Sequence, residues 1–184
     1  MSRVIILPTY EAKQFDQPPK FSQAERHYFF AKDRLVEMAL QKVRGEKNWL
    51  GWLLQYGYFK ASGKFYAAEK FWQQDIKFIA KQLNVMPIRN FADQYAERTR
   101  LNHKLNILTQ HGHQPFSANK VLFSELTEDL VAKQLSPRKI VLSLVDMLRE
   151  KKIEVPQYDT FSRTISDTIN RYEQQNQNKL SPLL

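Results

Sequence analysis

"RGEKNWLGWLLQYGYFKASGKF", residues 44–65, is the stretch that decides the fold class. At about 100° per residue, its apolar side chains cover nearly the whole circumference of a helix. These side chains are Trp49, Leu50, Trp52, Leu53, Leu54, Tyr56 and Phe59. A helix that is apolar on every side lies buried in a domain, whereas a helix at a membrane surface has one strongly polar face. We therefore predict a central helix from about Glu46 to Ala61, with an aromatic body and basic ends.

The glycines of this stretch predict its limits and its neighbours. Four of the five glycines in the chain fall here, at positions 45, 51, 57 and 63. We predict that the first and last end the helix, and that the inner two allow neighbouring helices to approach closely. Asn48 and Gln55 share one stripe of the helix. Because buried amides need partners, we predict that both side chains hydrogen-bond to neighbouring backbone.

Helical spacing of apolar residues continues over the rest of the chain, and the predicted fold class is all-α. No pair of strand-like segments is joined by an Asn-Gly or Asp-Gly turn. Ser22 and Glu25 carry the signature of a capping box, and Asp33 is the predicted cap of the next helix. Ser136 followed by Pro137 predicts the start of a later helix.

The pattern divides the chain into two helical subdomains with two end segments. Proline-rich sequence at the start predicts an extended arm, and polar sequence at the end predicts a flexible tail. The predicted segments are the arm, 1–20; a first helical subdomain, 21–116; a second, helix-turn-helix-like subdomain, 117–176; and the tail, 177–184.

Signatures of catalysis and of metal binding are missing from the sequence. The chain has no Cys, no glycine-rich phosphate loop and no nucleophile elbow. His111 and His113 flank Gly112, and we interpret both as solvated loop residues, because a metal would need further ligands. We therefore predict no catalytic residue, no metal ligand and no cofactor.

The start of the chain carries only a short apolar run, Val4 to Leu7, which is too short for a signal peptide. No window approaches the roughly 20 apolar residues of a membrane span. We expect a cytoplasmic protein without a membrane partner.

Positive charge is concentrated in one part of the chain. Residues 1–118 hold 18 Lys or Arg and 10 Asp or Glu, a net +8, whereas residues 119–184 hold 10 and 9, a net +1. A basic surplus of this kind indicates a polyanionic partner, most commonly nucleic acid, although a basic surface also serves solubility alone.

A helix over "ERTRLNHKL", residues 97–105, is predicted to offer part of this basic surface. On a helical wheel, Leu101, Leu105 and Leu108 face the core. The polar residues Arg100, His103 and Lys104 then lie together on another side.

The last two helices resemble a helix-turn-helix, in which early exposed residues of the second helix reach base edges. Here those residues are Thr160, Ser162, Arg163 and Ser166. We predict that Arg163 points away from the core and contacts a base or a phosphate. The alternative is a surface ion pair between Arg163 and Asp167.

Arg138 and Lys139 stand in the first turn of their predicted helix. The helix dipole disfavours cations there by about 0.3–1 kcal/mol. A bound phosphate would offset this cost, so both residues are predicted DNA contacts.

Four segments, in order along the chain, resemble the N-terminal region of replicative transposases of the Tn-three family. "RGEKNWLG…Q…GKF" is similar to that family's Arg-Gly-x-x-Asn-Arg-Leu-Gly stretch with its following Gln and Gly-x-Phe. The other three are "FIAKQLNV", "ERTRLNHKLNILTQHGHQPF" and "MLREKKIEVPQYDTFSRTI". One departure is Trp49, which stands where the family usually has Arg.

The resemblance implies an α-helical module that binds the terminal inverted repeats of the transposon, double-stranded DNA, during DNA transposition. It also implies that catalysis belongs to a longer C-terminal part with an Asp-Asp-Glu metal site, so this chain is expected to be no enzyme. The motif positions that it carries over are Arg44, Asn48, Gly51, Gln55, Thr99, Arg100 and His103. Self-association through the full-length transposase is a further partner interaction that the resemblance allows.

Charge, predicted exposure and resemblance together give a set of candidate DNA contacts. They are Arg44, Lys47, Asn48, Lys60, Lys64, Arg100, His103, Lys104, Arg138, Lys139, Thr160, Ser162 and Arg163. The alternative is a protein-interaction module that assembles the transposase without reading DNA. An RNA-binding module and an independent enzyme fit the sequence less well, because neither an RNP-type motif nor a catalytic site is visible.

Overall fold

The computed structural model describes residues 4–180, and this part of the chain folds into ten α-helices without a β-strand. The all-α prediction is confirmed. The helices are α1 Thr9–Phe15, α2 Gln23–Phe29, α3 Arg34–Leu40, α4 Glu46–Ser62, α5 Gln73–Leu83, α6 Phe91–Gln94, α7 Glu97–Gln110, α8 Lys120–Ala132, α9 Pro137–Glu150 and α10 Tyr158–Leu180.

The helices form two compact units. The central unit is Gln17–His113, which contains α2 to α7. The terminal unit combines the residues up to Asp16 with those from Gln114 onward, so it contains α1 and α8 to α10. The terminal unit is therefore built from two separate parts of the chain.

Helix α4 is the buried axis of the central unit, as its sequence predicts. Ten consecutive residues, from Leu50 to Phe59, are buried. Gly45 at its start has φ 90° and Gly63 at its end has φ 71°, a backbone region that favours glycine. Both glycines therefore end the helix as predicted.

The inner glycines of α4 admit aromatic rings. A Cβ on Gly51 would lie 2.4 Å from the ring of Tyr95, and one on Gly57 would lie 2.3 Å from the ring of Phe30. Close approach was predicted at both positions, and the structure shows that aromatic side chains make it. The central core is consequently a cluster of stacked and edge-on rings around α4.

A buried carboxylate ties three helices of the central unit together. Asp75 on α5 is fully buried, and its two oxygens accept hydrogen bonds from Arg26 Nε at 2.6 Å and from Tyr58 Oη at 2.7 Å. Because both oxygens have partners, the buried charge is compensated. Burial beside this carboxylate raises the pKa of Tyr58 far above its ordinary value, so its hydroxyl stays a donor.

The predicted helix caps of the central unit are present. The Ser22 hydroxyl accepts from the Glu25 amide at 3.3 Å, and the Glu25 carboxylate accepts from the Ser22 amide at 2.7 Å, which completes the capping box. Asp33 accepts from the Val36 amide at 2.9 Å. These bonds satisfy amides that the first turns of α2 and α3 would otherwise leave free.

The terminal unit packs α8, α9 and α10 around Phe123, Leu144 and Phe161, and the start of the chain completes this core. Ile6 and Leu7 are buried in it, and the Leu7 amide donates to Tyr158 Oη at 3.0 Å.

The N-terminal segment also holds the start of α10. After α1 ends, Asp16 accepts a hydrogen bond from the Tyr158 amide at 2.9 Å. An acidic side chain at a helix N-terminus is favourable, because it satisfies a free amide and complements the dipole.

The prediction of an extended arm is therefore wrong for part of residues 1–20. Residues 9–15 form α1, with Glu11 in the first turn and Lys13 in the last, which suits the helix dipole. Prolines 8, 18 and 19 flank this helix and do not interrupt it. The predicted tail over 177–184 begins inside α10, and residues 181–184 lie outside the described part of the chain.

The connection between α9 and α10 spans residues 151–157 and buries Ile153, Glu154, Val155 and Pro156. Gln114 bonds to the backbone of Lys152 and Glu154 within it. A typical helix-turn-helix has a turn of about 3–4 residues, so this connection is longer. The helix-turn-helix character of the pair stays a prediction.

Candidate functional site

A cleft with both polar and apolar lining residues lies in the central unit, where the α3–α4 connection and the first turn of α4 face α7. Its volume is about 440 Å³. The polar side chains that line it are Lys42, Arg44, Asn48, Asn102, His103 and Asn106. Among the described residues, no acidic side chain lines this cleft. Three predicted DNA contacts, Arg44, Asn48 and His103, are thus brought together.

Helix α7 presents a different face from the one predicted. Leu101 is 44% exposed and Leu105 is 54% exposed, whereas His103 is only 8% exposed. Ile107 and Leu108 carry the apolar contact with the core. The prediction that Leu101 and Leu105 face inward is wrong, because the helix turns its histidine toward a buried partner.

That partner is Tyr95, whose hydroxyl lies 2.6 Å from His103 Nδ1. Gln55 on α4 donates from Nε2 to Tyr95 Oη at 2.6 Å and to the backbone oxygen of Arg100 at 3.2 Å. A carbonyl oxygen can only accept, so the Gln55 amide must face Arg100 with its nitrogen. The predicted backbone partner of Gln55 is therefore present.

The bonds of the Tyr95 hydroxyl assign the tautomer of His103. Tyr95 Oη accepts from Gln55, and because a buried hydroxyl needs an acceptor for its own proton, we assign that proton to Nδ1 of the imidazole. On this assignment the neutral ring carries its proton on Nε2. The Nε2 atom of His103 has no hydrogen-bond partner in the protein. It is also not one of the described polar atoms that are fully buried without a partner, so it is accessible at the cleft that His103 lines.

Burial keeps both members of the pair neutral. Desolvation lowers the pKa of His103 to about 4, so the imidazole is uncharged at neutral pH. Burial likewise raises the pKa of Tyr95 above its ordinary value, so the phenol retains its proton. His103 is consequently a neutral donor with a fixed orientation.

Two amides at the cleft are also oriented by bonds to the protein. Trp52 Nε1 donates to Asn106 Oδ1 at 3.0 Å, which leaves the Asn106 NH₂ group as its free end. Asn48 donates from Nδ2 to the Arg44 backbone oxygen at 2.8 Å, as predicted for a backbone partner, and keeps Oδ1 free.

The other predicted contacts of the central unit lie outside the cleft. Lys47 is exposed, and the exposed Lys60 ammonium lies 4.4 Å from the centre of the Tyr28 ring. Lys104 is half-buried, with its ammonium 5.6 Å from the centre of the Phe65 ring.

Lys64 and Arg100 depart from the expected exposed surface. Lys64, in the turn after α4, is only 4% exposed, and its ammonium lies 5.7 Å from the centre of the Tyr66 ring. Burial therefore removes Lys64 from the predicted basic rim. Arg100 forms an ion pair with Glu97 at 2.6 Å, which occupies its guanidinium.

The predicted contacts of the terminal unit are all at its surface or near it. Arg138 is paired with Glu11 at 2.9 Å, and Lys139 is exposed. Thr160 and Ser162 are half-buried in the first turns of α10. Arg163 is 72% exposed and pairs with Asp159, one turn before it, whereas the sequence suggested Asp167 as its partner.

Thr160 and Arg163 border a second hollow, of about 260 Å³, in the terminal unit. Lys120 and Asp159 also line this hollow, so its charge is mixed. The cleft of the central unit, in which both charged side chains are basic, is therefore the better candidate for binding an anion.

Four residues of the cleft arrangement were missed by sequence reasoning: Lys42, Tyr95, Asn102 and Asn106. Asn102 and Asn106 are four apart on a helix, which places them on one face with His103 beside them. That spacing could have identified them. Tyr95 lies before α7, and no pattern in the sequence around it indicated a role in the cleft.

The part of the chain that the structure describes holds no cluster of three or more His, Cys, Asp or Glu that could bind a metal ion. It also contains no helix with the length and apolar character that crossing a membrane requires.

A family profile matches residues 6–168, which is most of the chain, and its description is a domain of unknown function, DUF4158. The chain belongs to the DUF4158 family. The match begins at buried Ile6 and ends at buried Thr168, so the DUF4158 domain spans residues of both units. No curated protein matches the sequence significantly.

Proposed function

We propose that this DUF4158 domain is a non-catalytic DNA-binding module of a transposase, and that it recognises the terminal inverted repeats of its transposon during DNA transposition. The membership of this chain in the DUF4158 family supports the proposal, since that family is known in transposases of the Tn-three family. The Asp-Asp-Glu catalytic part of such a transposase lies outside this chain.

The observation that carries the proposal is the distribution of charge in the central unit. Residues 17–113 hold 16 Lys or Arg and 8 Asp or Glu, a net +8. The cleft of this unit is lined by Lys42 and Arg44 and by no acidic side chain of the described residues. Basic grooves of this kind attract the phosphate backbone, whose neutralisation supplies most of the affinity of DNA-binding proteins.

Equilibrium binding to labelled duplexes tests the function. One duplex carries the terminal repeat of the parent transposon, and the other carries the same bases in scrambled order. We expect tighter binding to the repeat at near-physiological salt, with log K falling linearly as log salt rises, at a slope near −0.9 per phosphate contact. Equal affinity for the two duplexes would refute recognition of the repeat.

A second candidate is a protein-interaction module that assembles the transposase. It is favoured by large apolar side chains at the surface of the central unit, Leu35 and Met38 on α3 and Leu101 and Leu105 on α7. Sedimentation analysis distinguishes the candidates. Stable self-association without DNA binding at low salt would favour assembly, whereas a monomer that binds DNA would favour recognition.

A further inference from the structure

We propose that the cleft of the central unit binds a phosphate of the DNA backbone through donors on His103 and Asn106, with Lys42 and Arg44 supplying positive charge. This inference rests on the proposed DNA-binding function and assigns it a contact site.

Both donors are oriented before any ligand arrives. The Gln55–Tyr95–His103 chain leaves the Nε2–H of His103 directed into the cleft, and His103 is more than nine-tenths buried. The Trp52 indole holds Oδ1 of Asn106, so the NH₂ group of Asn106 is the free end. Pre-oriented donors lose little side-chain entropy on binding, which favours a ligand rich in acceptor oxygens.

The charge of the cleft selects an anion. Lys42 and Arg44 are exposed at its edge, and no carboxylate of the described residues lines it. Arg44 and Asn48 flank the start of α4, a 17-residue helix with no side-chain cap at its first turn. The dipole of this helix adds positive potential at the same place.

The size of the cleft favours a phosphate within a polymer. About 440 Å³ is more space than one phosphate group fills, and it leaves room for the adjoining sugars. Asn48 keeps a free Oδ1 in the cleft, which can accept a hydrogen bond from a neighbouring group of the nucleotide.

Asn106→Asp is the most direct variant. Aspartate has the shape of asparagine and still accepts from Trp52, but it replaces the donor group with negative charge. Gln73→Glu is the matched control, because it adds the same charge at an exposed position of α5 that does not line the cleft. We expect a loss of DNA affinity of about tenfold or more for N106D, since a charge-assisted bond becomes a repulsion. Screening should limit the effect of Q73E to less than about twofold.

Two substitutions of His103 separate its role in the cleft from its role in the fold. Asn at this position places an acceptor near the site of Nδ1, so Tyr95 keeps a partner while the cleft loses its donor. Gln carries an amide near the site of Nε2, so the cleft keeps a donor while the hydroxyl of Tyr95 loses its acceptor. We expect H103N to weaken DNA binding several-fold, and H103Q to retain affinity with a lower melting temperature. The reverse order of affinities would overturn the proposal.

The nitrogen signals of the His103 imidazole, followed by NMR, distinguish the sources of phosphate. Saturable shifts with both duplex DNA and inorganic phosphate would support the site, and a shift with DNA alone would support the backbone as its ligand. If phosphate moved the signal while no DNA bound, the site would stand and the proposed function would fall. If DNA bound with the signal unmoved and N106D behaved like Q73E, the function would stand and this inference would fail.

Discussion

At Gly57 the core leaves no room for a methyl group, because a Cβ would lie 2.3 Å from the Phe30 ring and 3.0 Å from the Phe29 backbone oxygen. Phe30 is fully buried and cannot swing into solvent. We expect Gly57→Ala to destabilise the domain by about 1–3 kcal/mol, despite the better helix propensity of alanine. Urea denaturation followed by tryptophan fluorescence measures the change.

A double-mutant cycle checks the cause. Phe30→Ala removes both atoms that clash, Cδ1 and Cε1 of the ring, so the cost of Gly57→Ala should shrink in the Phe30→Ala background. Coupling of about 0.5 kcal/mol or more is expected for residues in contact. If the losses in the free energy of unfolding from the two single substitutions simply add in the double variant, the Phe30 ring is not what excludes the methyl group.

His103 makes the stability of the fold dependent on pH. Its pKa in the fold is about 4, below the ordinary value of about 6.5, so between these values the unfolded chain binds a proton that the folded one does not. The contribution of neutral, buried His103 to the free energy of unfolding is fully present above pH ~6.5 and is lost as the pH falls toward 4. We expect wild type to lose about 2–3 kcal/mol more than His103→Asn between pH 7 and 4. Parallel pH profiles in urea denaturation would contradict this.

At the level of the single helix, α10 offers a matched pair of arginines. Arg163 is 72% exposed and pairs with Asp159, and Arg171 is 58% exposed and pairs with Glu128. Exposed pairs of this kind contribute little, so either alanine variant should change stability by less than about 1 kcal/mol.

The two variants should differ in binding. If α10 reads bases near its start, Arg163→Ala weakens binding to the terminal repeat by about 1–3 kcal/mol and Arg171→Ala does not. If Arg163→Ala loses affinity for the terminal repeat alone, Arg163 contacts a base. If it loses affinity equally for scrambled DNA, Arg163 contacts a phosphate. Unchanged affinity on both would exclude α10 as the recognition helix and leave the central unit as the reader.

Local patterns predicted the helices better than they predicted the cleft. The limits and burial of α4 followed from glycines at both ends and apolar residues on every side, which are properties of the stretch itself. The orientation of α7 did not follow, because leucines at 101 and 105 indicated a core face that His103 in fact occupies. A buried histidine needs a partner, and Tyr95 belongs to a separate segment that a helical wheel does not include. The sequence therefore predicted His103 as a candidate, but not the Tyr95 bond that orients it.

For the whole molecule, the start of the chain is a structural part of the terminal unit. Ile6 is 4% exposed in its core, whereas its neighbour Ile5 is 80% exposed. We expect Ile6→Ala to destabilise the terminal unit by about 2–4 kcal/mol and Ile5→Ala to have little effect. Hydrogen exchange of amides in α8, α9 and α10 measures the loss of protection. Equal exchange in the two variants would mean that the N-terminal segment is dispensable.

Because the terminal unit combines residues up to Asp16 with residues from Gln114 onward, its two parts are synthesised at different times on the ribosome. The Leu7 amide and its partner Tyr158 are 151 residues apart. At about 5–20 residues per second, roughly 8–30 seconds of synthesis separate the two. The central unit is complete in the chain well before α10 emerges, so it can fold while Ile6 and Leu7 still lack their core. During that interval, the nascent chain carries a short apolar segment without its partner, which a ribosome-associated chaperone would be placed to shield.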